Sequence, residues 1–459
     1  MNTFDPSIFK AYDIRGVYPS AMNEAVTYAI GQAFVKVMEA KTVVVGQDVR
    51  ASGPALKAAM IKGITDAGAN VIDVGVISTE MLYFAAGTLA CDGGMSVTAS
   101  HNPAQYNGTK FIGKNATPLS REGKLNDIYT AVQHDAPMMA ETPGTVTQQD
   151  ILSEYVAFLL GKFAPSNLPH LKIAANVNFG ANGKVIDKLV ANLPVELVRM
   201  NWEEDGTFPK GTPDPLLPNN RKEILERVVQ EGANFGVAWD ADADRCFFYD
   251  EKGRFFPGYY INALLAKTLL EKYPNSPVVL EPRLTWATKD AIAAGGGSAE
   301  ITKAGHTYIK QVMREKNGIF GGEISAHYYY KDYFGCDSGA VTFLLVMDIF
   351  GKRVAAGQTV SQLLDEYLAK YPATEEMNFI TDKAQEIISA IKANYADAKQ
   401  ETIDGISIEY PDFRFNLRTS NTEPVLRLNL EAHQPAILTE KLAEVRGIIE
   451  SFGATLRID

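Results

Sequence analysis

Three aspartates in alternation, Asp240, Asp242 and Asp244 of the segment WDADADRCFF, are the most chemically loaded residues of the chain. If the strand-like run NFGVAW before them stays extended, all three carboxylates face one side, and three converging negative charges then require a divalent cation. Oxygen-only ligands select a hard ion, Mg2+ or Ca2+. An EF-hand calcium loop would put Glu251 at its twelfth position. It would also need glycine where Arg245 stands, and helices where the flanks NFGVAW and CFFYDEKG read as strands. The remaining alternative is a solvated acidic turn.

Four other stretches bring useful side chains together. In TASHNP (98–103) Ser100 stands beside His101, directly after the apolar run GGMSVTA and shortly before Lys110 of YNGTK. Ser100 admits three roles: a hydrolase nucleophile with a neighbouring base, a helix cap in an active-site loop, or a carrier of a phosphoryl group. A nucleophile elbow requires G-x-S-x-G, which VTASHNP lacks, and its asparagine and proline favour a rigid turn. In GGEISAH (321–327) Glu323, Ser325 and His327 alternate behind a double glycine, and a short extended loop would turn all three toward the hydroxyls of a sugar. RTSNTEP (418–424) lies between two strand-like runs. Arg418 offers a bidentate cation, Ser420, Asn421 and Thr422 offer neutral donors, and the loop's N–H groups can form an anion nest, so it reads equally as a phosphate site and as a polar hairpin turn. FKAYDIRG (9–16) adds Tyr12 and Arg15 at what reads as an ordinary strand start.

Rigid elements must hold these stretches, and the chain supplies a recurrent one. KTVVVGQDVR, ALKAAMIKGITDAGA and NVIDVGV read as strand, helix and strand. The pattern returns in LKIAANVNFGANG, KVIDKLVAN and PVELVRM, and again in PVVLEPRLTW, ATKDAIAAGGG and SAEITKAG. One unit recurring at wide spacing predicts three related α/β domains, each a mixed or mostly parallel sheet flanked by helices. Pro, Gly or charge interrupts the apolar periodicity near 141–149, 250–253 and 371–376, which divides these domains as 1–148, 149–253 and 254–372. Residues 373–459 differ: a helix (ITDKAQEIISAIKANY), short strands (GISIEY, FRFNLR, PVLRLNLEA) and an amphipathic helix (ILTEKLAEVRGIIESF) predict a smaller α+β domain.

Composition narrows the class. With 459 residues, 46% hydrophobic and 22% charged, the chain has the balance of a multi-domain globular protein, not a disordered one. A net charge of −11 argues against nucleic acid, so the cations for any anionic ligand must be gathered locally. MNTFDPSIFK shows no charged leader with an apolar core. The most apolar run, AVTFLLVMDIF, is interrupted by Asp348 well short of a span, so no membrane partner and a cytoplasmic location are expected. Cys91, Cys246 and Cys336 are odd in number and scattered, with neither a CxxC pair nor zinc spacing, and are expected to be buried, reduced thiols.

KAYDIRG, TASHNP with YNGTK, DADADR, EPRLTW, KAGH, GGEISAH and RTSNTEP, in this order and over essentially the whole chain, resemble the α-D-phosphohexomutase family, most closely its bacterial phosphomannomutase and phosphoglucomutase members. The loop VNFGANG (177–183) departs from the glycine-asparagine-glycine form common in relatives, outside the site clusters. The resemblance implies four domains around a central cleft, one cluster from each. It implies that Ser100 is phosphorylated in the active form and gives its phosphoryl group to O6 of a hexose 1-phosphate. The hexose 1,6-bisphosphate then turns over in the cleft, and its O1 phosphoryl group returns to Ser100. Mg2+ on Asp240, Asp242, Asp244 and an oxygen of the serine phosphate is implied, with the bisphosphate as activator. Arg15, Lys110 and Arg245 are the implied cations around the transferring group, and Arg15, Lys110 and His327 the groups that move protons.

Tyr12, Lys303, His306, Glu323, Ser325 and His327 are implied at the sugar, with Glu323 and Ser325 reading O3 and O4. Arg283 of EPRLTW stands where some relatives carry lysine, and Arg418, Ser420, Asn421 and Thr422 hold the phosphate that is not transferred. The expected partners are small sugar phosphates, bound by a monomer or homodimer. Rival readings are a phosphoglucosamine mutase, which usually shows Gln where Ile324 stands, a mutase that prefers glucose, and a non-catalytic sugar-phosphate or Ca2+-binding protein, which needs no phosphoryl carrier.

Overall fold

Apolar, β-branched runs too uniform for one-sided burial become the central strand of each α/β unit: Thr42–Gln47, Leu171–Asn176 and Pro277–Leu280. The structure, a computed structural model, describes residues 4–420 and 425–457. In each unit a helix follows the central strand (Gly53–Asp66, Gly183–Val190, Trp286–Ala294) and returns the chain to a parallel neighbour (Asn70–Val76, Val195–Met200, Ser298–Ile301), as the repeat pattern predicts. On its other side the central strand pairs in parallel with a third strand, Gly93–Val97, Phe235–Trp239 or Phe320–Gly322. That third strand then turns back into an antiparallel partner, Tyr106–Gly113, Cys246–Asp250 or Tyr328–Tyr330. The sheets are therefore mixed, and all three share one strand order at their centres.

The final unit has a different plan. A six-stranded sheet runs Lys399–Glu401, Ile406–Glu409, Phe413–Thr419, Val425–Ala432, Met377–Ile380 and Thr455–Leu456, antiparallel throughout, with helices Ala384–Asn394 and Pro435–Ser451. Two local expectations change. Ile380 belongs to a strand, because Met377–Ile380 completes the sheet beside Val425–Ala432, and the helix begins only at Ala384. The stretch 250–253 is a tight turn within the second sheet: Asp250 Oδ1 accepts from the N–H groups of Lys252 and Arg254 at 3.0 and 2.9 Å, and Phe255–Phe256 pairs back onto Cys246–Asp250.

One apolar core runs continuously from the first sheet through the second and third, while the final unit keeps its own, from Phe379 to Ala454. The final unit docks instead through buried polar groups. Arg414 donates to the carbonyls of Pro282 and Arg283 at 2.5 and 2.9 Å, and Glu431 accepts from the N–H of Thr285 at 2.8 Å. All three cysteines are buried and free. No helix among the described residues is long and apolar enough to cross a membrane.

Candidate active site

The repeat explains how distant motifs meet. Ser100, the aspartate triad and the Glu323–His327 segment each occupy the loop between the third strand and its antiparallel partner, so they are the same loop in three copies. In open α/β sheets the carboxyl ends of the strands form the ligand crevice, and all three loops leave from such ends. An isolated bridge between Arg245 and His327 joins the second and third copies. The N–H of Thr79, from the first unit, donates to the carbonyl of Asp242 at 2.9 Å.

Two of these loops are turns, not the extended segments that alternation suggested. Ala243 and Ala326 adopt left-handed conformations, with φ of 60° and 70°, and each donates its N–H to a carbonyl three residues back, Asp240 or Glu323, at 3.1 Å. Convergence of the carboxylates thus comes from folding the loop over. Alanine carries the smallest side chain able to bear the strain, about 1 kcal/mol or more. Ser100 is left-handed as well, with φ of 49°, and only 2% exposed.

Ser100 Oγ donates to Asp240 Oδ2 at 3.1 Å and lies 3.2 Å from His101 Nδ1. Oxygens of Asp240, Asp242 and Asp244 lie within 4.8 Å of one another, all three side chains buried. Lys110 Nζ bridges Asp242 and Asp244 at 2.7 and 2.5 Å, and Arg245 Nε holds Asp240 at 2.9 Å. The donor set fits a hard cation: three buried carboxylates supply only oxygen, and Asp242 Oδ1 and Asp244 Oδ1 have no hydrogen-bond partner. Burial pushes Asp240 and Asp244 up, Asp244 further through its neighbour Asp242. Burial opposes ionisation of Asp242 too, but Lys110 overrides it and holds Asp242 well below the usual carboxylate range. Asp244, His327 and Asp337 form a second group of ligand atoms within 4.8 Å, and Asp337 is ion-paired to Lys310 at 2.6 Å.

His101, His306 and His327 are all held well below the usual imidazole range by burial, reinforced by the lysines and arginines around them. These surroundings suit an anion on Ser100 better than a serine–histidine hydrolytic pair.

The sequence models of the phosphoglucomutase/phosphomannomutase family match the chain in order: alpha/beta/alpha domain I over 6–137, domain II over 153–253, domain III over 257–371 and the C-terminal domain over 376–448. The chain belongs to this family. A phosphomannomutase of Salmonella typhimurium is 42% identical over 441 residues, which is 94% of this chain and 96% of that protein. A Xanthomonas campestris protein named for phosphohexose mutases is 41% identical over 434 residues, with coverage of 94% and 96%. The structure of a phosphoglucomutase/phosphomannomutase family protein from Burkholderia thailandensis has a TM-score of 0.89 at 30% identity, over 99% of this chain and 100% of that one.

In this phosphohexomutase chain the remaining motif residues are tied to neighbouring loops of the first, third and final units. Arg15 binds Asp13 and the Asn102 side chain of the serine loop at 2.8 and 2.5 Å. Tyr12 donates to the Ala304 carbonyl at 3.1 Å and its ring meets His306 at 5.2 Å, which joins KAYDIRG to KAGH. Glu323 accepts from the Gly305 N–H at 2.9 Å, Ser325 Oγ lies 3.4 Å from His327 Nδ1, and exposed Lys303 lies 5.8 Å from the centre of the Tyr308 ring. Arg283 is buried, bound to Glu281 at 2.8 Å and Glu376 at 3.1 Å. Arg418 is the penultimate residue of strand Phe413–Thr419, with Glu376 and Asp404 at 3.9 and 3.8 Å, and Ser420 donates its N–H to the Val425 carbonyl at 2.9 Å. Asn421 and Thr422 lie outside the described residues.

Sequence reasoning passed over Asp48 and Arg50. Arg50 is fully buried, and its guanidinium donates to Asp48 and to the carbonyls of Ser100, Asn102, Pro103 and Tyr106, so it templates the serine loop from below. The signal was present as QDVR and LEPR: an acid, one residue and an arginine, directly after the central strand of two repeats. Thr79, which donates to Asp242 at 2.5 Å, had no such signal, and Thr98, at 3.4 Å, opened TASHNP without a role assigned to it.

Proposed function

We propose that the chain reversibly converts hexose 1-phosphates into hexose 6-phosphates, mannose and glucose substrates being carried by one site, with Ser100 as the phosphoryl carrier. The observation that carries this reading is the position of Ser100 Oγ, 3.1 Å from a carboxylate of the aspartate triad and in the cluster neutralised by Lys110 and Arg245. In the first half-reaction the phosphoryl group leaves Ser100 Oγ for O6 of the hexose 1-phosphate. The O6 proton is released to a group in the cleft, and the serine hydroxyl is regenerated. The bisphosphate reverses its orientation, O1 returns its phosphoryl group to Ser100, and hexose 6-phosphate leaves. Mg2+ bound by Asp240, Asp242 and Asp244 would neutralise charge on the transferring phosphoryl oxygens.

Arg15, Lys110 and Arg245 hold that group, and Arg15, Lys110 and His327 are the candidates for moving its proton. Glu323 and Ser325 read O3 and O4, Tyr12, Lys303, His306 and Arg283 line the sugar and phosphate path, and Arg418 with Ser420, Asn421 and Thr422 grips the other phosphate. Mannose and glucose differ only at C2, and a site that accepts the intermediate in two opposed orientations reads only hydroxyls reachable from both. The phosphomannomutase relatives support the sugar class. A monomer or homodimer in the cytoplasm, with hexose 1,6-bisphosphate as activator, completes the reading.

The test compares kcat/KM for mannose 1-phosphate, glucose 1-phosphate and glucosamine 1-phosphate in the presence of catalytic hexose 1,6-bisphosphate, with and without chelator. Turnover of the first two, lost on chelation and restored by Mg2+, is expected. Preference for glucosamine 1-phosphate, or full activity in chelator, contradicts the reading.

A further inference from the structure

Two arginines face each other across the final sheet. Arg418 of Phe413–Thr419 is the register partner of Arg427 in Val425–Ala432. Like charges directly opposite on neighbouring strands destabilise a sheet, and a third guanidinium, Arg283 of the third unit, closes on the same point. One carboxylate touches all three: Glu376 lies 3.1 Å from Arg283, 3.2 Å from Arg427 and 3.9 Å from Arg418, with Glu281 also on Arg283 and Asp404 also near Arg418. It sits in the connection between the third and final units, one residue ahead of strand Met377–Ile380. Burial works against its charge, yet the three arginines hold its pKa below the usual range, so it is an anion at neutral pH.

A guanidinium fork that fits a carboxylate fits a phosphate equally well. We propose that Glu376 is a resident competitor for phosphate, its carboxylate holding the place among Arg283, Arg418 and Arg427 that the non-transferred phosphate of the substrate takes. This rests on the reading of the final unit as the phosphate grip. A dianionic phosphate displaces a single carboxylate, and the carboxylate returns as product leaves. The device sets substrate affinity and helps release, with no change in the chemistry at Ser100.

Calorimetric titration with inorganic phosphate tests it on the full chain. Glu376→Gln should tighten phosphate about tenfold, lower the KM for hexose phosphate in parallel, and lose that gain when Arg427→Gln is added. If Glu376→Gln melts early, Glu376→Asp, which withdraws the charge on a shorter stem, should tighten phosphate in the same direction by about threefold. Unchanged or weaker phosphate binding in the folded variant overturns the proposal. So does a gain that persists in the double variant, because phosphate then binds elsewhere. Competition seen in a chain that does not isomerise hexose phosphates would defeat the mutase reading alone. An active mutase without competition would defeat this inference alone.

Discussion

Asp48 to Arg50 and Glu281 to Arg283 are the same loop built twice. In both, the acid accepts from the arginine's own N–H, at 2.9 and 2.8 Å, and pairs with its Nε at 3.1 and 2.8 Å. The second unit keeps only the outline: Asn178 donates its N–H to Asn176 Oδ1 at 2.9 Å, with no charge in either place. The two arginines then part. Arg50 turns into the protein and is consumed by main-chain carbonyls of the serine loop, whereas Arg283 points toward Glu376 and Glu323. A repeated loop has become a scaffold in one unit and a cation paired with carboxylates of other loops in another, and only the partner of the outer guanidinium nitrogens tells them apart.

Ser100→Ala separates carrier from scaffold most sharply. Arg50 binds the Ser100 carbonyl, which the substitution keeps. Turnover should fall by on the order of ten-thousandfold or more with an unchanged melting temperature. Arg50→Ala, by contrast, leaves Asp48 buried without its arginine and strips four carbonyls of their donor. It should cost about 3–5 kcal/mol of stability along with activity, and Arg50→Lys should not rescue it, since an ammonium cannot span those acceptors. Denaturant unfolding reads both variants. A wild-type melt for Arg50→Ala would make Arg50 dispensable and end the comparison.

Glu80 shows what a buried acid does without an arginine. It is answered by the Ser338 hydroxyl at 2.5 Å and the Ala340 N–H at 3.0 Å, and burial pushes its pKa up to about 7. The folded state therefore retains a proton that the unfolded chain has released. Stability from this group is full at acid pH, declines as pH rises from the ordinary glutamate value to about 7, and is level above that. The decline amounts to at most roughly 3 kcal/mol. Glu80→Gln should flatten it, which melting curves across that range would show. An unchanged slope would assign it to other groups.

The mildest effect belongs to Arg283→Lys, which keeps the charge and loses the fork. KM for hexose phosphate should rise about tenfold, kcat should change little and the melt should hold. A loss of stability with unchanged KM would make Arg283 a second Arg50.

Residues that announce their chemistry in a short motif were legible as a group: Ser100, the three aspartates, Lys110 and His327, each singled out by its motif, lie together in the structure. The three strand–helix–strand repeats were also readable, because their apolar runs are long and their turns marked. What alternation misread was loop geometry. Residues such as Ala243 and Ala326 gain left-handed φ from packing that no local pattern encodes. Arg50, despite its QDVR signal, and Glu376 were passed over for a related reason, since their value lies in partners 50 and 52 residues along the chain from Arg50, or in another unit altogether. Ile380 was drawn into a helix by its neighbours' periodicity when a distant strand edge claimed it.

The central claim is that Ser100 carries the phosphoryl group. The direct measurement is tandem mass spectrometry of protein treated with hexose 1,6-bisphosphate and then chased with excess hexose 1-phosphate. One phosphoryl group located on Ser100 after the first step, and exchanged into sugar bisphosphate during the chase at a rate matching turnover, is the predicted result. A fully active protein with Ser100 unmodified throughout, or a phosphoserine that stays inert while sugar phosphates are turned over, would contradict it.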